Sequence, residues 1–165
     1  MSKVETETLT PKKVSESKAE LVDLVLPPDT NHHGTIFGGK VMAYADKIAV
    51  ISAMRHCRKP VVTVRSDSFE FHAPITAGDA ICIEASVVCA HRTSMEVFVK
   101  VHSEDLLTGE TKMTSQAHLT MIAVDENNRP TPVPQVIPET EEEKQHYQFA
   151  MERYEARKRA LKASK

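Results

Sequence analysis

Residues Lys40 to Cys57, KVMAYADKIAVISAMRHC, have helical spacing and are apolar on nearly all sides. Such a helix must be wrapped by other elements, because water tolerates little of its surface. The wrapping elements follow Pro60, where the period changes from 3.6 to 2. Val61 to Phe71 reads as a long strand, ended by His72, Ala73 and Pro74, with a turn at Gly78-Asp79. Ile81, Ile83, Ala85 and Val87 alternate with polar or small residues, and Met95, Val97, Val99 and Val101 do so again after a turn at His91 to Ser94. Leu107-Thr108-Gly109 turns the chain into a last strand, Thr111 to Val124. These are consecutive antiparallel hairpins after one central helix. The pattern predicts an α+β fold in which a curved antiparallel sheet wraps that helix, with an open edge and an unfilled face that self-association would cover.

The flanks read differently. Residues 1–18 form a polar stretch without periodicity, predicted to be a solvated tail. Leu21 to Leu26 is a short strand closed by Pro27 and Pro28. Pro130, Pro132, Pro134 and Pro138 mark an extended connector. Thr140 can cap a final helix that has Glu141, Glu142 and Glu143 in its first turn and Arg153, Arg157, Lys158 and Arg159 toward its end, which suits the helix dipole. The predicted division is therefore a tail over 1–18, one globular domain over 19–138 and a helical tail over 139–165.

Charge and cysteine usage exclude several classes. Lys and Arg number 21 against 23 Asp and Glu, spread along the chain, so there is no concentrated basic face for nucleic acid. Three cysteines, Cys57, Cys82 and Cys89, without a CxxC or a secretory segment, predict a reduced cytoplasmic protein. No apolar run approaches the length of a membrane span. Eight histidines invite a metal site, yet no HxxxH or HxH occurs and no cysteine stands at ligand spacing, so no metal is expected. GxSxG is absent as well, which argues against a serine hydrolase.

The residues that can carry chemistry cluster around the long helix. Asp46 stands in its middle, where a buried carboxylate is costly unless it is hydrogen-bonded or functional. A structural, internally paired Asp is the competing reading. Gly38 and Gly39 stand at the helix start, where free N–H groups point outward and a ligand oxygen can approach closely. An ordinary glycine turn would look the same, and the two glycines are equivalent at this level. Asn31 in the preceding loop and Thr63 on the following strand are unremarkable alone.

Together these residues form a pattern. The segment DTNHHGTIFGGKVMAYADKIAVISAMRH resembles the signature of the hotdog-fold acyl-CoA thioester hydrolases. The likeness continues through VVTV, FHAPITAGD, HRTSMEVFVKV and VDENNRPTPVP, spanning roughly residues 19 to 138. It implies a hotdog dimer, assembled further into a trimer-of-dimers hexamer, that hydrolyses acyl-CoA to coenzyme A and a carboxylic acid without a cofactor. It implies that Asp46 is the base or nucleophile, that a Gly38 or Gly39 N–H holds the oxyanion, and that Thr63 and a partner-subunit Asn31 complete the site. Arg92, Thr93 and Ser94 match the family's CoA-contacting turn. Arg55, in a cluster with His56, Arg58 and Lys59, is a second phosphate candidate, although cations at a helix C-terminus need no ligand to explain them. Arg153 and Arg157 are weaker candidates of the same kind. Two rivals share the scaffold: a non-catalytic acyl-CoA sensor, and a dehydratase or hydratase, which would need other acid–base residues on the helix.

Overall fold

A computed structural model describes residues 9–164. Strands β1 (Lys12–Lys13) and β2 (Ala19–Leu24) precede helix α1 (Gly38–Cys57). Strands β3 (Val61–Phe71), β4 (Ala80–Ala90), β5 (Ser94–Glu104) and β6 (Thr111–Ala123) follow, then β7 (Val136–Ile137) and helix α2 (Glu141–Ala163). The main sheet is antiparallel with the order β2-β4-β5-β6-β3. The chain thus leaves one sheet edge at β2, crosses as α1 and rejoins at the opposite edge as β3. This is the predicted sheet wrapped around a helix.

Helix α1 buries Val41, Ala45, Ile48, Ala49, Ser52, Ala53 and His56, a stripe at intervals of three and four residues. Alanines at 45, 49 and 53 let the helix backbone come close to the sheet. The facing residues are Ile81, Ile83, Ala85 and Val87 on β4, Met95, Val97, Val99 and Val101 on β5, and Ala117, Leu119 and Met121 on β6. The helix ends at Arg58, whose left-handed backbone (φ 54) lets its N–H donate to Met54 O at 2.7 Å.

Two expectations change. Helix α1 is not covered on most sides: Met42 is 46% exposed, Ile51 40% and Met54 41%. Edge strand β3 adjoins this uncovered side and leaves Val62 and Val64 similarly open. An apolar helix pattern cannot distinguish a face buried by its own chain from one left for another. The second change concerns residues 12–18, which are not a solvated tail. Strand β1 pairs in parallel with β7, and Val14 and Ser17 are buried in the 3-10 turn that follows. The Ser17 hydroxyl donates to Val14 O and accepts the Val87 N–H at 2.9 Å. Polar composition hid this docking, because its anchors are one valine and one fully bonded serine. Of the rest of the expected tail, residues 1–8 lie outside the described residues.

Helix α2 starts as predicted, with a capping box in which Thr140 Oγ1 accepts the Glu143 N–H at 3.1 Å and Glu143 accepts the Thr140 N–H. It packs on the outer face of the sheet, setting Tyr147, Ala150 and Met151 against Val88, Cys89 and Phe98. Arg153 then forms a two-pronged pair with Glu96 on β5, at 2.8 and 2.9 Å. Among the described residues no helix is long and apolar enough to cross a membrane.

Candidate active site

Asp46 projects from the uncovered side of α1 toward β3, where Thr63 Oγ1 donates to Asp46 Oδ1 at 2.6 Å. Thr63 is opposite Met121 in the β3–β6 ladder, and its hydroxyl rests 3.2 Å from the Met121 sulfur. The sheet register therefore holds the threonine, and the threonine orients the carboxylate. Asp46 is exposed in the single chain, which corrects the expectation that it is buried. The reason is the one already met: the side of α1 that carries it has no cover within its own chain.

The pair opens onto a cleft of 410 Å³ lined by Gly39, Met42, Ala43, Asp46, Thr63, Ser66, Phe69 and Leu119. Gly39 precedes Asp46 by seven residues, two helical turns, so both face the same side about 10 Å apart along the axis. The first helical bonds are donated by Lys40 and Val41 to Phe37 O, at 3.0 and 3.2 Å. The N–H groups of Gly38 and Gly39 precede them and have no protein acceptor among the described residues.

The structure separates the two glycines. A Cβ on Gly38 would stand 3.3 Å from the Phe71 ring, and Gly38 lines a different pocket, together with Ile36, Phe71 and Ile75. A Cβ on Gly39 would meet nothing within 4 Å, and Gly39 lines the Asp46 cleft. Of the two glycines, Gly39 therefore borders the Asp46 cleft and Gly38 does not.

Asn31 is not among the residues lining this cleft. Its side chain organises its own loop: Oδ1 accepts the His33 N–H at 2.9 Å, and Nδ2 donates to Thr35 Oγ1 at 3.0 Å. A single chain does not join Asn31 to Asp46. Arg92, Thr93 and Ser94 form a tight connection between β4 and β5, in which the His91 N–H donates to Ser94 O, Ala123 to Thr93 O and Val133 to Arg92 O. The Arg92 side chain is exposed and forms no ion pair among the described residues.

The other three candidates, Arg55, Arg153 and Arg157, are engaged structurally, Arg157 donating to Asp67 at 3.0 Å. Arg55 Nη1 donates to Lys18 O at 2.6 Å, tying α1 to the N-terminal segment. Arg153 is held by Glu96, which is 3% exposed. The Tyr44 hydroxyl of α1 is raised by burial to about 12, and burial also shifts groups on the outer face of the sheet. Burial pushes His118 down to about 4 and the Cys89 thiol up to about 12. Sequence reasoning missed Ser66 and Phe69, since nothing in a strand pattern shows which residues an irregular edge strand turns toward the helix.

Residues 33–110 match the thioesterase superfamily. The chain is 49% identical over 143 residues to the uncharacterized acyl-CoA thioester hydrolase YkhA of Bacillus subtilis, a match covering 87% of this chain and 83% of that protein. The chain belongs to the hotdog-fold acyl-CoA thioester hydrolase family. A family member solved as an apo hexameric acyl-CoA thioesterase superposes with a TM-score of 0.88 at 53% identity, covering 92% of this chain and 97% of that one. Another, an acyl-CoA hydrolase of Staphylococcus aureus solved with butyryl coenzyme A, coenzyme A and coenzyme A disulfide, gives 0.85 at 41% identity, covering 93% and 94%. That enzyme has also been solved with alanine replacing an Asp, an Asn and a Thr in turn.

Proposed function

We propose that the protein is an acyl-CoA thioesterase and that its chemistry is centred on Asp46. The observation that carries this reading is the Asp46 carboxylate, bonded by Thr63 at 2.6 Å, in a cleft whose upper wall is the open start of α1. Thioester hydrolysis forms a bond from oxygen to the acyl carbon and breaks the bond from carbon to sulfur. A helix-start N–H of Gly38 or Gly39, at the positive end of the helix dipole, stabilises the oxygen that becomes negative. It stands about 10 Å along α1 from Asp46 of its own chain, so the donor facing a given Asp46 comes, like Asn31, from a partner's copy. Either Asp46 takes the proton of the attacking water, which then passes to the departing thiolate, or Asp46 attacks the carbonyl to form a mixed anhydride. Water cleaves that anhydride, and a proton of that water ends on the thiolate. Both routes release the carboxylic acid and coenzyme A as its thiol. Coenzyme A enters as part of the substrate, and the reading includes no metal or other cofactor. Arg92, with the Thr93 and Ser94 turn, is assigned to the nucleotide end.

The working unit in this proposal is a homo-oligomer, a dimer assembled into a hexamer. It is supported by the uncovered Met42, Ile51 and Met54 on the side of α1 that carries the site and by the hexameric relative. A partner's copy of Asn31 then completes each site. We assign the protein to the cytoplasm, on three free cysteines, and give it no nucleic-acid or membrane partner. The competing reading is an acyl-CoA sensor without turnover, and thiol release from acyl-CoA separates the two. The shared site is tested by refolding Asn31→Ala and Asp46→Ala chains together. Random pairing makes about half the dimers mixed, each with one intact site, so about a quarter of wild-type activity returns. No recovery after verified subunit exchange refutes the shared site.

A further inference from the structure

The cleft beside Asp46 has one polar end and one apolar end, and the apolar end depends on an irregular strand. Thr63 faces α1, opposite Met121. Strict alternation from there would also turn Arg65 and Asp67 toward the helix. Instead Arg65 is opposite Thr120, Ser66 opposite Leu119 and Asp67 opposite His118, so the register shifts by one residue at Val64. A second shift falls between Asp67 and Glu70, where Ser68 takes a left-handed backbone (φ 52), unfavourable for a residue with a Cβ. The first shift leaves Asp67 on the outer face, and the second turns Phe69 into the cleft.

Both sides of this bulge are held. On the outer face, Asp67 accepts from Arg65 Nε at 2.7 Å and from Arg157 Nη1 of α2 at 3.0 Å. On the inner face, the Phe69 ring packs on the core and lies 4.9 Å from the Phe71 ring. Helix α2 therefore grips, through one guanidinium, the segment that presents Phe69.

We propose that Phe69 limits the length of the acyl chain the cleft accepts, and that the Arg157–Asp67 pair is the positioning device that sets where its ring stands. The proposal rests on the thioesterase reading. With the thioester carbonyl at Asp46, the rest of the wall is Met42, Ala43, Phe69 and Leu119 with the single hydroxyl of Ser66, and it presents no cation for phosphate. It suits a hydrocarbon chain, whose methylenes gain by leaving water until a side chain blocks them.

The test uses the intact oligomer and a series of S-alkyl-CoA thioethers of increasing chain length, which cannot be hydrolysed, with calorimetry as the readout. For the wild type, affinity rises by up to about fourfold per methylene, the gain for full burial, and then levels where the chain meets Phe69. Phe69→Ala moves that break to longer chains and leaves the shortest ligands within about twofold of wild type. Arg157→Ala moves or blurs the break in the same way, and Arg157→Lys restores it, which a merely stabilising role would not do. Phe69→Leu serves should the alanine variant fail to assemble. A Phe69→Ala or Phe69→Leu profile superimposable on wild type overturns the proposal. An Arg157→Ala profile with an unmoved break overturns the positioning role. Because thioether binding needs no hydrolysis, absence of thiol release in a parallel acyl-CoA assay counts against the thioesterase reading separately.

Discussion

Replacing Thr63 with Val removes the hydroxyl and puts a methyl in its place. A methyl cannot keep the hydroxyl's distances of 3.2 Å to the Met121 sulfur and 2.6 Å to Asp46, so these neighbours give by some tenths of an ångström, while the main loss is the hydrogen bond. The bond lost is the 2.6 Å donation to Asp46 Oδ1, a short contact to a charged acceptor. Hydrogen bonds of that kind contribute about 1.5–3 kcal/mol. Asp46 is exposed in the single chain, where water can replace part of the bond, so the lower half of that range applies. About 1.5–2 kcal/mol corresponds to a loss of roughly ten- to thirtyfold in kcat. KM should change little, since the hydroxyl orients a catalytic group and touches neither the nucleotide nor the far acyl chain. Thr63→Ser keeps the donor and should stay within about threefold of wild type. Thiol release measured over acyl-CoA concentration separates the two constants. Wild-type kcat in Thr63→Val, or equal damage from Ser and Val, would refute the role given to this bond.

Two predictions concern the outer face. Arg153→Ala strands Glu96, 3% exposed, without its counter-charge, and because Arg153 itself is partly exposed the cost should be about 2–3 kcal/mol. Thermal melts at one fixed protein concentration should show a Tm lower by roughly 5–10 °C, and an unchanged Tm would contradict the pairing. His118 is held neutral in the fold by burial, its pKa down at about 4 against 6.5 when free. Its contribution to stability is full above pH 6.5 and is lost as pH falls toward 4, because the unfolded chain takes up the proton first. His118→Phe should flatten stability against pH in that window, and an unaltered acid limb would exclude this histidine as a cause.

The central helix and the four long strands were legible because their periods, 3.6 and 2, follow from which faces are buried. What was not legible depended on partners distant in the chain. Arg55 and Arg153 read as free cations, and their acceptors, Lys18 O and Glu96, are 37 and 57 residues away. The bulges at Val64 and Ser68 carry no glycine to announce them, so Ser66 and Phe69 could not be assigned to a face. Asp46 and Thr63 were named from the family likeness, and the fold brings them into contact across 17 residues. Gly38 and Gly39, equivalent in the sequence, were distinguished by the room around each Cβ position. In the proposed site Asn31 acts on a second chain, a contact that the spacing within one chain does not show.

The most direct test of the account is single-turnover thiol release by Asp46→Asn, with acyl-CoA binding measured on the same preparation. The amide fills the volume of the carboxylate and can still accept the Thr63 bond, but it neither takes a proton nor attacks a carbonyl. The account predicts that binding persists while the rate of release falls by about a hundredfold or more. Release at more than about a tenth of the wild-type rate would contradict it, since general-base catalysis alone contributes at least ~10².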